Sequence, residues 1–236
     1  MLAVLLGFAV ATRVGASWIE RGFPPTGSFV DVDGARLHVL DRGARAREAI
    51  LVIHGASGNA VDLDRVFAPA LSPGRRVVTL DRPGHGHSPA IEGAHAPDAQ
   101  ARVVVRALDR LGIERVVVVG YSFGASVAMA LALEAPARVA GLVLLAPATH
   151  PWGGGGISWH NRVAALPVVG PVFARLFPLP LGLLVMDGAV AASFRPDSAP
   201  PGYARDSAIP LVLRPESFVA NARDLDGLLA AVTRLQ

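Results

Sequence analysis

The chain has 236 residues, of which 52% are hydrophobic and 17% are charged, so it can bury a large core and a globally disordered chain is excluded. All 22 basic residues are arginine; they are scattered among 19 acidic residues and give a net charge of +3, which does not indicate a nucleic-acid surface. The lack of cysteine excludes disulfides, thiolate metal sites and a cysteine nucleophile. The length predicts one domain with an elaboration, and arginine in place of lysine is typical of a GC-rich bacterial genome.

The first 24 residues form a hydrophobic N-terminal segment. Met1 to Thr12 is an apolar run that ends at Arg13, and twelve residues are too few to span a bilayer, which needs about 20. The run has the length of a signal-peptide core but no basic residues before it. Two interpretations stay open: a partly buried helix of a cytoplasmic protein, or membrane association of residues 1–19, with export as a variant of the second.

Short apolar runs alternate with helical patterns from residue 25 to residue 148, which predicts a mostly parallel α/β sheet with helices on both faces. Asp33-Gly34 predicts a hairpin between the first two strands. Asp98 is expected to cap one helix and Gly112 to end it. The predicted strands are Phe29–Val32, Arg36–Leu40, Ala49–Ile53, Arg76–Leu80, Arg115–Val119 and Val139–Ala146, and the predicted helices are Asp98–Leu111 and Phe123–Glu134.

The amino-acid composition of the chain changes after Pro147. Four glycines and many prolines separate short apolar stretches, which predicts that residues 149–223 form an inserted cap of short helices over one edge of the sheet. A last helix is expected over about Asp224 to Leu235, within a C-terminal segment of residues 224–236. The cap is rich in large apolar side chains, which suggests an apolar substrate group, although most of them are expected to pack the cap onto the core (Trp152, Trp159, Phe173, Phe177, Phe194).

One segment of the sequence indicates a catalytic residue. Gly120-Tyr121-Ser122-Phe123-Gly124 joins a buried valine strand to an alanine-rich helix, and a serine between two glycines in a strand–turn–helix is the pattern of a nucleophile elbow. Ser122 is expected at the helix N-terminus, with its oxygen exposed above the sheet.

With three further segments, the chain resembles the α/β-hydrolase family of serine esterases and lipases. His54-Gly55-Ala56-Ser57-Gly58-Asn59 follows the third strand, Asp81-Arg82-Pro83-Gly84-His85-Gly86-His87-Ser88 follows the fourth, and the strand Val139–Ala146 comes after the elbow. The resemblance implies Ser122 as nucleophile, the backbone N–H groups of Ala56 and Phe123 as the oxyanion hole, and a small-molecule acyl substrate, without a metal or organic cofactor. Related epoxide hydrolases and haloalkane dehalogenases have an aspartate at the nucleophile position, so the serine favours acyl chemistry on an ester or related compound.

Four histidines near these motifs are interpreted as structural. His54 is expected to bond to backbone, His38 lies within a strand, and His85 and His87 lie beside glycines in a loop that is structural in the family.

The triad partners of Ser122 are not found. The family order is serine, then acid, then histidine, but His150 and His160 are the only histidines after Ser122 and no acid separates them from it in a suitable context. We expect a chain shortened at its C-terminus, without the last two strands, which leaves Val139–Ala146 as an exposed apolar edge. The alternatives are a base recruited from His85, His87, His150 or His160, a non-catalytic small-molecule-binding protein on this scaffold, and an inactive truncated product.

Overall fold

A six-stranded sheet forms the centre of the computed structural model, which describes residues 1–153 and 156–235. The strand order is β1-β2-β4-β3-β5-β6. Helices cover both faces of the sheet, and the predicted fold class is confirmed. The strands are Ser28–Val32 (β1), Ala35–Arg42 (β2), Glu48–Ile53 (β3), Val77–Leu80 (β4), Arg115–Tyr121 (β5) and Val139–Leu145 (β6).

The first two strands form the predicted hairpin. Asp33 and Gly34 both have positive φ angles, 56° and 81°, as a tight two-residue turn between antiparallel strands requires. Strand β2 also pairs antiparallel with β4, whereas β4, β3, β5 and β6 are parallel neighbours. Ile53 at the end of β3 is paired with Gly120 of β5, so the turns after these two strands meet at the same edge of the sheet.

The helices agree with the predictions only in part. Helix α4 has the predicted bounds, whereas α2 was not predicted. The predicted cap of α3 was wrong: Ala96 occupies the N-cap position, and the Asp98 carboxylate pairs with Arg102 one turn along. The helices are Leu2–Gly22 (α1), Ala60–Leu71 (α2), Pro97–Arg110 (α3), Phe123–Glu134 (α4), Trp159–Ala165 (α5), Val169–Leu176 (α6), Pro178–Ser193 (α7), Tyr203–Asp206 (α8) and Pro215–Arg234 (α9).

Helix α9 begins nine residues before the predicted start at Asp224. Pro215 occupies its first turn, where the missing N–H of proline costs nothing, and Glu216 follows where a negative charge is favourable. The helix therefore runs through residue 223, where cap and C-terminal segment were predicted to divide. Its side chains Leu228 and Val232 join the main hydrophobic core beside α3 and α4.

The stretch after the sheet is helical, as expected of a cap, with α5 to α8 between residues 159 and 206. Two residues of its glycine run, 154 and 155, lie outside the described residues. The proposed boundaries of the cap at 149 and 223 remain a prediction.

The N-terminal apolar run is part of a longer helix than the sequence suggested. Helix α1 has 21 residues and continues past Arg13, so the inference that the segment is too short to cross a bilayer was wrong: its length and mean hydropathy of 1.7 are sufficient. Only Thr12 and Ile19 are buried.

Strand β6 lies at an edge of the described sheet, with β5 on its one paired side. Leu142 and Val143 are exposed along it. The predicted exposed apolar edge is therefore present in the described part of the chain.

Candidate active site

Ser122 lies at a strained turn between β5 and α4. Its φ and ψ angles are 52° and −115°, a conformation that costs a non-glycine residue about 1–3 kcal/mol and persists only where neighbouring structure enforces it. The Ser122 N–H donates to Leu145 O of β6 at 2.9 Å, and Ser122 O accepts from Ala125 N at 3.0 Å. The elbow is thus fixed through its backbone, which leaves the side chain at the N-terminus of α4.

The two glycines of the elbow are required by close backbone contacts. A Cβ on Gly120 would lie 2.6 Å from Gly124 O, and a Cβ on Gly124 would lie 2.2 Å from Ile53 O. Neither oxygen can move away without disrupting a strand or a helix. The spacing of glycine, serine and glycine therefore follows from how tightly α4 turns back over β3.

The turn after β3 lies beside Ser122. A Cβ on Gly55 would lie 3.0 Å from the Tyr121 ring and 3.1 Å from Ser122 Cβ, so this turn packs closely against the elbow. Gly55 O accepts hydrogen bonds from His54 Nδ1 at 2.8 Å and Arg82 Nη2 at 3.1 Å. Because the C=O and N–H of one peptide unit point in opposite directions, these bonds turn the N–H of Ala56 away from Arg82. The structure thus places Ala56 and Phe123, the two predicted oxyanion donors, on the two turns that meet at Ser122.

Arg82 connects these two turns. Its buried guanidinium donates from Nε to His54 O at 3.0 Å and lies over the Phe123 ring, 4.4 Å from its centroid. It also donates to Gln100 Oε1 at 3.0 Å and to Asp224 Oδ2 at 2.5 Å. One side chain therefore contacts both elements that carry the predicted oxyanion donors.

The alpha/beta hydrolase fold family model matches residues 48–201, which contain β3, the elbow and β6. The chain belongs to the α/β-hydrolase family. Its resemblance to that family in the sequence motifs is thereby confirmed.

Relatives of the chain include enzymes of more than one kind. It is 38% identical over 155 residues to the dihydrolipoyllysine-residue acetyltransferase component of the acetoin cleaving system of Cupriavidus necator, covering 62% of this chain and 40% of the relative. It is 36% identical over 153 residues to 2-hydroxy-6-oxononadienedioate/2-hydroxy-6-oxononatrienedioate hydrolase of Cupriavidus pinatubonensis, covering 61% and 50%. The chain thus spans half or less of the length of these two relatives. The crystal structure of Cfl2 from Burkholderia cenocepacia shares the fold, with a TM-score of 0.69 at 22% identity over 87% of this chain and 72% of that chain.

The Ser122 side chain is half-buried, and among the described residues no hydrogen bond to its Oγ is found. None of the four histidines considered as a base forms a hydrogen bond with it in the described part of the chain. His85 Nε2 donates to Asp224 Oδ2 at 2.9 Å, His150 Nδ1 lies 3.2 Å from Thr149 Oγ1, and His160 Nε2 lies 2.9 Å from Ser158 Oγ. The half-buried ring of His87 lies edge-on to His38.

Two of the histidines interpreted as structural, His54 and His38, are buried and hydrogen-bonded to backbone groups or to a carboxylate. His54 Nε2 accepts the Arg82 backbone N–H at 3.1 Å while its Nδ1–H donates to Gly55 O, so the ring is neutral. Burial, and next the charge of Arg82, lower the pKa of His54 well below its ordinary value. His38 Nδ1 lies 2.7 Å from Asp81 Oδ2 in the core, and its Nε2 accepts the Gly27 N–H at 3.2 Å.

Asp81 organises the loop that follows β4. Its two carboxylate oxygens accept the backbone N–H groups of Ala60 at 2.6 Å and His87 at 2.9 Å, as well as the bond from His38. Gly86 packs directly against the carboxylate, where a Cβ would be 2.0 Å from Oδ1. The glycines and histidines of this motif thus shape a loop, as the sequence suggested.

Two residues that hold the site were missed by sequence reasoning, and both lie on α9. Asn221 Oδ1 accepts the Ser57 N–H at 2.6 Å, and its Nδ2 donates to Ser57 Oγ at 3.2 Å. Asp224 is buried against Arg82; burial alone would raise the pKa of its carboxyl, but the charge of Arg82 and the bond from His85 hold that pKa well below its ordinary value. The helix start at Pro215 is the signal that would have placed both residues on a helix, although not against this turn.

The described residues, 1–153 and 156–235, contain no group of three or more His, Cys, Asp or Glu side chains placed to hold a metal ion. A surface depression of about 440 Å³ is lined by Arg47, Glu114 and Arg138. These residues adjoin the starts of β3, β5 and β6, so the depression lies at the opposite end of the strands from Ser122.

Proposed function

We propose that Ser122 is the nucleophile of a hydrolase acting on a carboxylic ester or related acyl compound, through an acyl-enzyme. The observation that carries the proposal is the backbone conformation of Ser122, whose φ of 52° is imposed by a turn in which two glycines have no room for a Cβ. Such strain at a serine is typical of a nucleophile held out from a helix N-terminus.

The chemistry follows from the groups around Ser122. Attack of Oγ on the substrate carbonyl forms a tetrahedral oxyanion, and the backbone N–H groups of Ala56 and Phe123 are the proposed donors to it. Fixed donors of this kind each contribute about 10²–10³ in rate. The leaving alcohol departs as the acyl-enzyme forms, and water then releases the acid. The proposal assigns the nucleophile and the two donors and leaves the base unassigned.

The aromatic side chains of the cap support an apolar substrate group. Trp159 packs edge-on against Phe173 with ring centroids 6.1 Å apart, and Phe173 contacts Phe177 at 5.6 Å. Phe218 of α9 lies 6.2 Å from the His160 ring. An apolar acyl or alkyl chain would be bound by such a surface through burial alone.

Labelling with a fluorophosphonate tests this proposal on the intact chain. The expected result is one adduct, located on the Ser122 peptide by mass spectrometry, together with turnover of a p-nitrophenyl butyrate ester. Ser122→Ala should abolish both, whereas Ser193→Ala, which changes an exposed serine of α7, should change neither. An unlabelled Ser122 in a folded chain would show that this chain does not activate the serine.

A second candidate is a small-molecule-binding protein on the same scaffold. It is favoured by one observation, that Ser122 Oγ has no hydrogen-bond partner among the described residues. A ligand that raises the melting temperature of the wild-type chain and of Ser122→Ala equally, without product, would support binding. Turnover of that ligand by the wild-type chain alone would support the hydrolase.

A further inference from the structure

Helix α1 has an inner face that packs on the protein and an outer face that is mostly apolar. The inner face contains Phe8, Thr12, Gly15 and Ile19, spaced as one face of a helix requires. The outer face is exposed, with charged residues only at Arg13 and in the last turn, and has large apolar side chains along its length (Leu2, Leu6, Val10, Val14, Trp18). A row of large exposed apolar side chains of this kind indicates contact with an apolar partner.

The inner face of α1 is packed onto the cap helices. Phe8 contacts Phe177 with ring centroids 5.4 Å apart, and Thr12 Oγ1 donates to Leu176 O at 3.2 Å. At Gly15, helices α1 and α7 approach so closely that a Cβ on this glycine would lie 2.5 Å from a methyl group of Leu179. Helix α1 is therefore held side-on against α6 and α7, so it does not extend alone from the domain.

Exposed large apolar side chains are also present on the two helices against which α1 packs. We call these residues of α1, α6 and α7 together the apolar surface (Leu2, Leu6, Val10, Val14, Trp18, Val169, Val172, Leu181, Leu183, Leu184, Val185). Large exposed apolar areas mark interaction sites with proteins or membranes. The residues between Val169 and Ser193 include only two charges, on Arg175 and Asp187.

The charges and aromatic rings around the apolar surface favour a lipid partner. Helices α1 and α5 to α7 carry four arginines against two acids, Glu20 and Asp187 (Arg13, Arg21, Arg162, Arg175). Long cationic side chains can keep their heads at the phosphates while their stems lie in the acyl region. Trp18 is exposed on the outer face of α1, and tryptophan favours the boundary between headgroups and acyl chains.

We propose that the apolar surface docks onto a lipid bilayer, with α1, α6 and α7 lying in the plane of one leaflet. The inference goes beyond the hydrolase proposal and does not depend on chemistry at Ser122. An in-plane arrangement fits the side-on packing of α1, which a separate membrane-spanning helix would have to abandon. Helices that bind in this way insert their apolar face to the boundary of headgroups and acyl chains.

Flotation with vesicles of 70% phosphatidylcholine and 30% phosphatidylglycerol tests the proposal on the full chain. We expect the wild-type chain to float with the vesicles. The double variant Leu6→Asp with Leu184→Asp should lower the partition coefficient at least tenfold for each change, because each substitution replaces a leucine that is buried in the bilayer with a charged side chain. Leu6 and Leu184 are 64% and 82% exposed, so the double variant should fold. The matched control is Val66→Asp with Leu133→Asp, on α2 and α4, where the side chains are 62% and 58% exposed.

Tryptophan quenching gives a second readout. With Trp152→Phe and Trp159→Phe, Trp18 is the only tryptophan, and brominated acyl chains should quench it when vesicles are added. No flotation of the wild-type chain, no quenching, or equal loss of binding in the control variant would overturn the proposal. A dimer in light scattering that the Leu6/Leu184 variant abolishes, without vesicle binding by the wild type, would assign the apolar surface to a second copy of the chain.

Discussion

The ion pair between Arg82 and Asp224 offers the sharpest test of how the site is held, through the substitution Asp224→Asn. The Asp224 side chain is fully buried and Arg82 is 1% exposed. Asparagine has almost the same shape as aspartate but removes the negative charge, so a buried guanidinium is left without its counter-charge. The carboxylate also accepts hydrogen bonds from His85 at 2.9 Å and Gln100 at 3.2 Å, which an amide cannot accept equally well.

The expected loss of stability can be estimated from these contacts. Breaking a buried ion pair from one side costs about 3–5 kcal/mol. The lower end applies, because Arg82 keeps its bonds to Gln100 and to the carbonyl oxygens of His54 and Gly55. In a chain of this size about 1 kcal/mol lowers the melting temperature by roughly 2–4 °C, so we expect a fall of about 10 °C.

Thermal unfolding at pH 7.5, followed by circular dichroism and calorimetry, measures this effect. The matched control is Asp226→Asn, the same substitution on an exposed residue of α9, which should change stability by about 0.5 kcal/mol at most. If both variants melt within two or three degrees of the wild type, roughly 1 kcal/mol, the pair does not hold α9 against the turn after β3.

Three further predictions concern the elbow, the buried histidines and the edge strand. Gly124→Ala should lower the melting temperature sharply or prevent folding, because its Cβ would lie 2.2 Å from a backbone oxygen of β3, whereas Gly7→Ala, where the space is open, should be tolerated. The melting temperature of the wild-type chain should also fall as the pH is lowered from 7.5 to 5. Burial lowers the pKa of His54 and His85 below 6.5, so in that interval the unfolded chain binds more protons than the folded chain and acid favours unfolding. A melting temperature that does not change with pH would contradict this. Val143→Lys should reduce self-association in sizing experiments without changing the circular dichroism spectrum, because a charge on an exposed edge strand opposes pairing with another chain; unchanged association would point to another contact surface.

Local sequence patterns were sufficient to predict the elbow, because its residues are adjacent in the sequence. The bounds of α4 were predicted without error, because a valine strand, a glycine–serine–glycine turn and an alanine-rich helix each have their own signal. The hairpin at Asp33-Gly34 was equally readable. The order of the remaining strands was not predicted, although the pairing of Ile53 with Gly120 brings the two turns together.

The contacts from α9 could not be predicted in the same way. No histidine follows Asp224 in the sequence, so this residue does not fit the order of a triad, yet the structure uses it to neutralise Arg82. Arg82 and Asp224 are separated by 142 residues, and no local pattern specifies such a pair. Helix α1 was underestimated for a different reason: Arg13 was taken to limit the apolar run, whereas an exposed arginine on a helix side does not end the helix.

The same buried charges connect the stability of the fold to the geometry of the proposed oxyanion hole. The proposed donors belong to two separate elements, the turn after β3 and the start of α4, and Ser122 can use both only if their separation is fixed. Arg82 fixes it, because its guanidinium holds the carbonyl of Gly55 and packs on Phe123 at the same time. Asp224 in turn offsets the cost of burying that guanidinium, and α9 supplies it from the far end of the described chain. The site therefore depends on the docking of α9 as much as on the elbow itself, and a variant that loosens α9 should slow the labelling of Ser122 before the sheet unfolds.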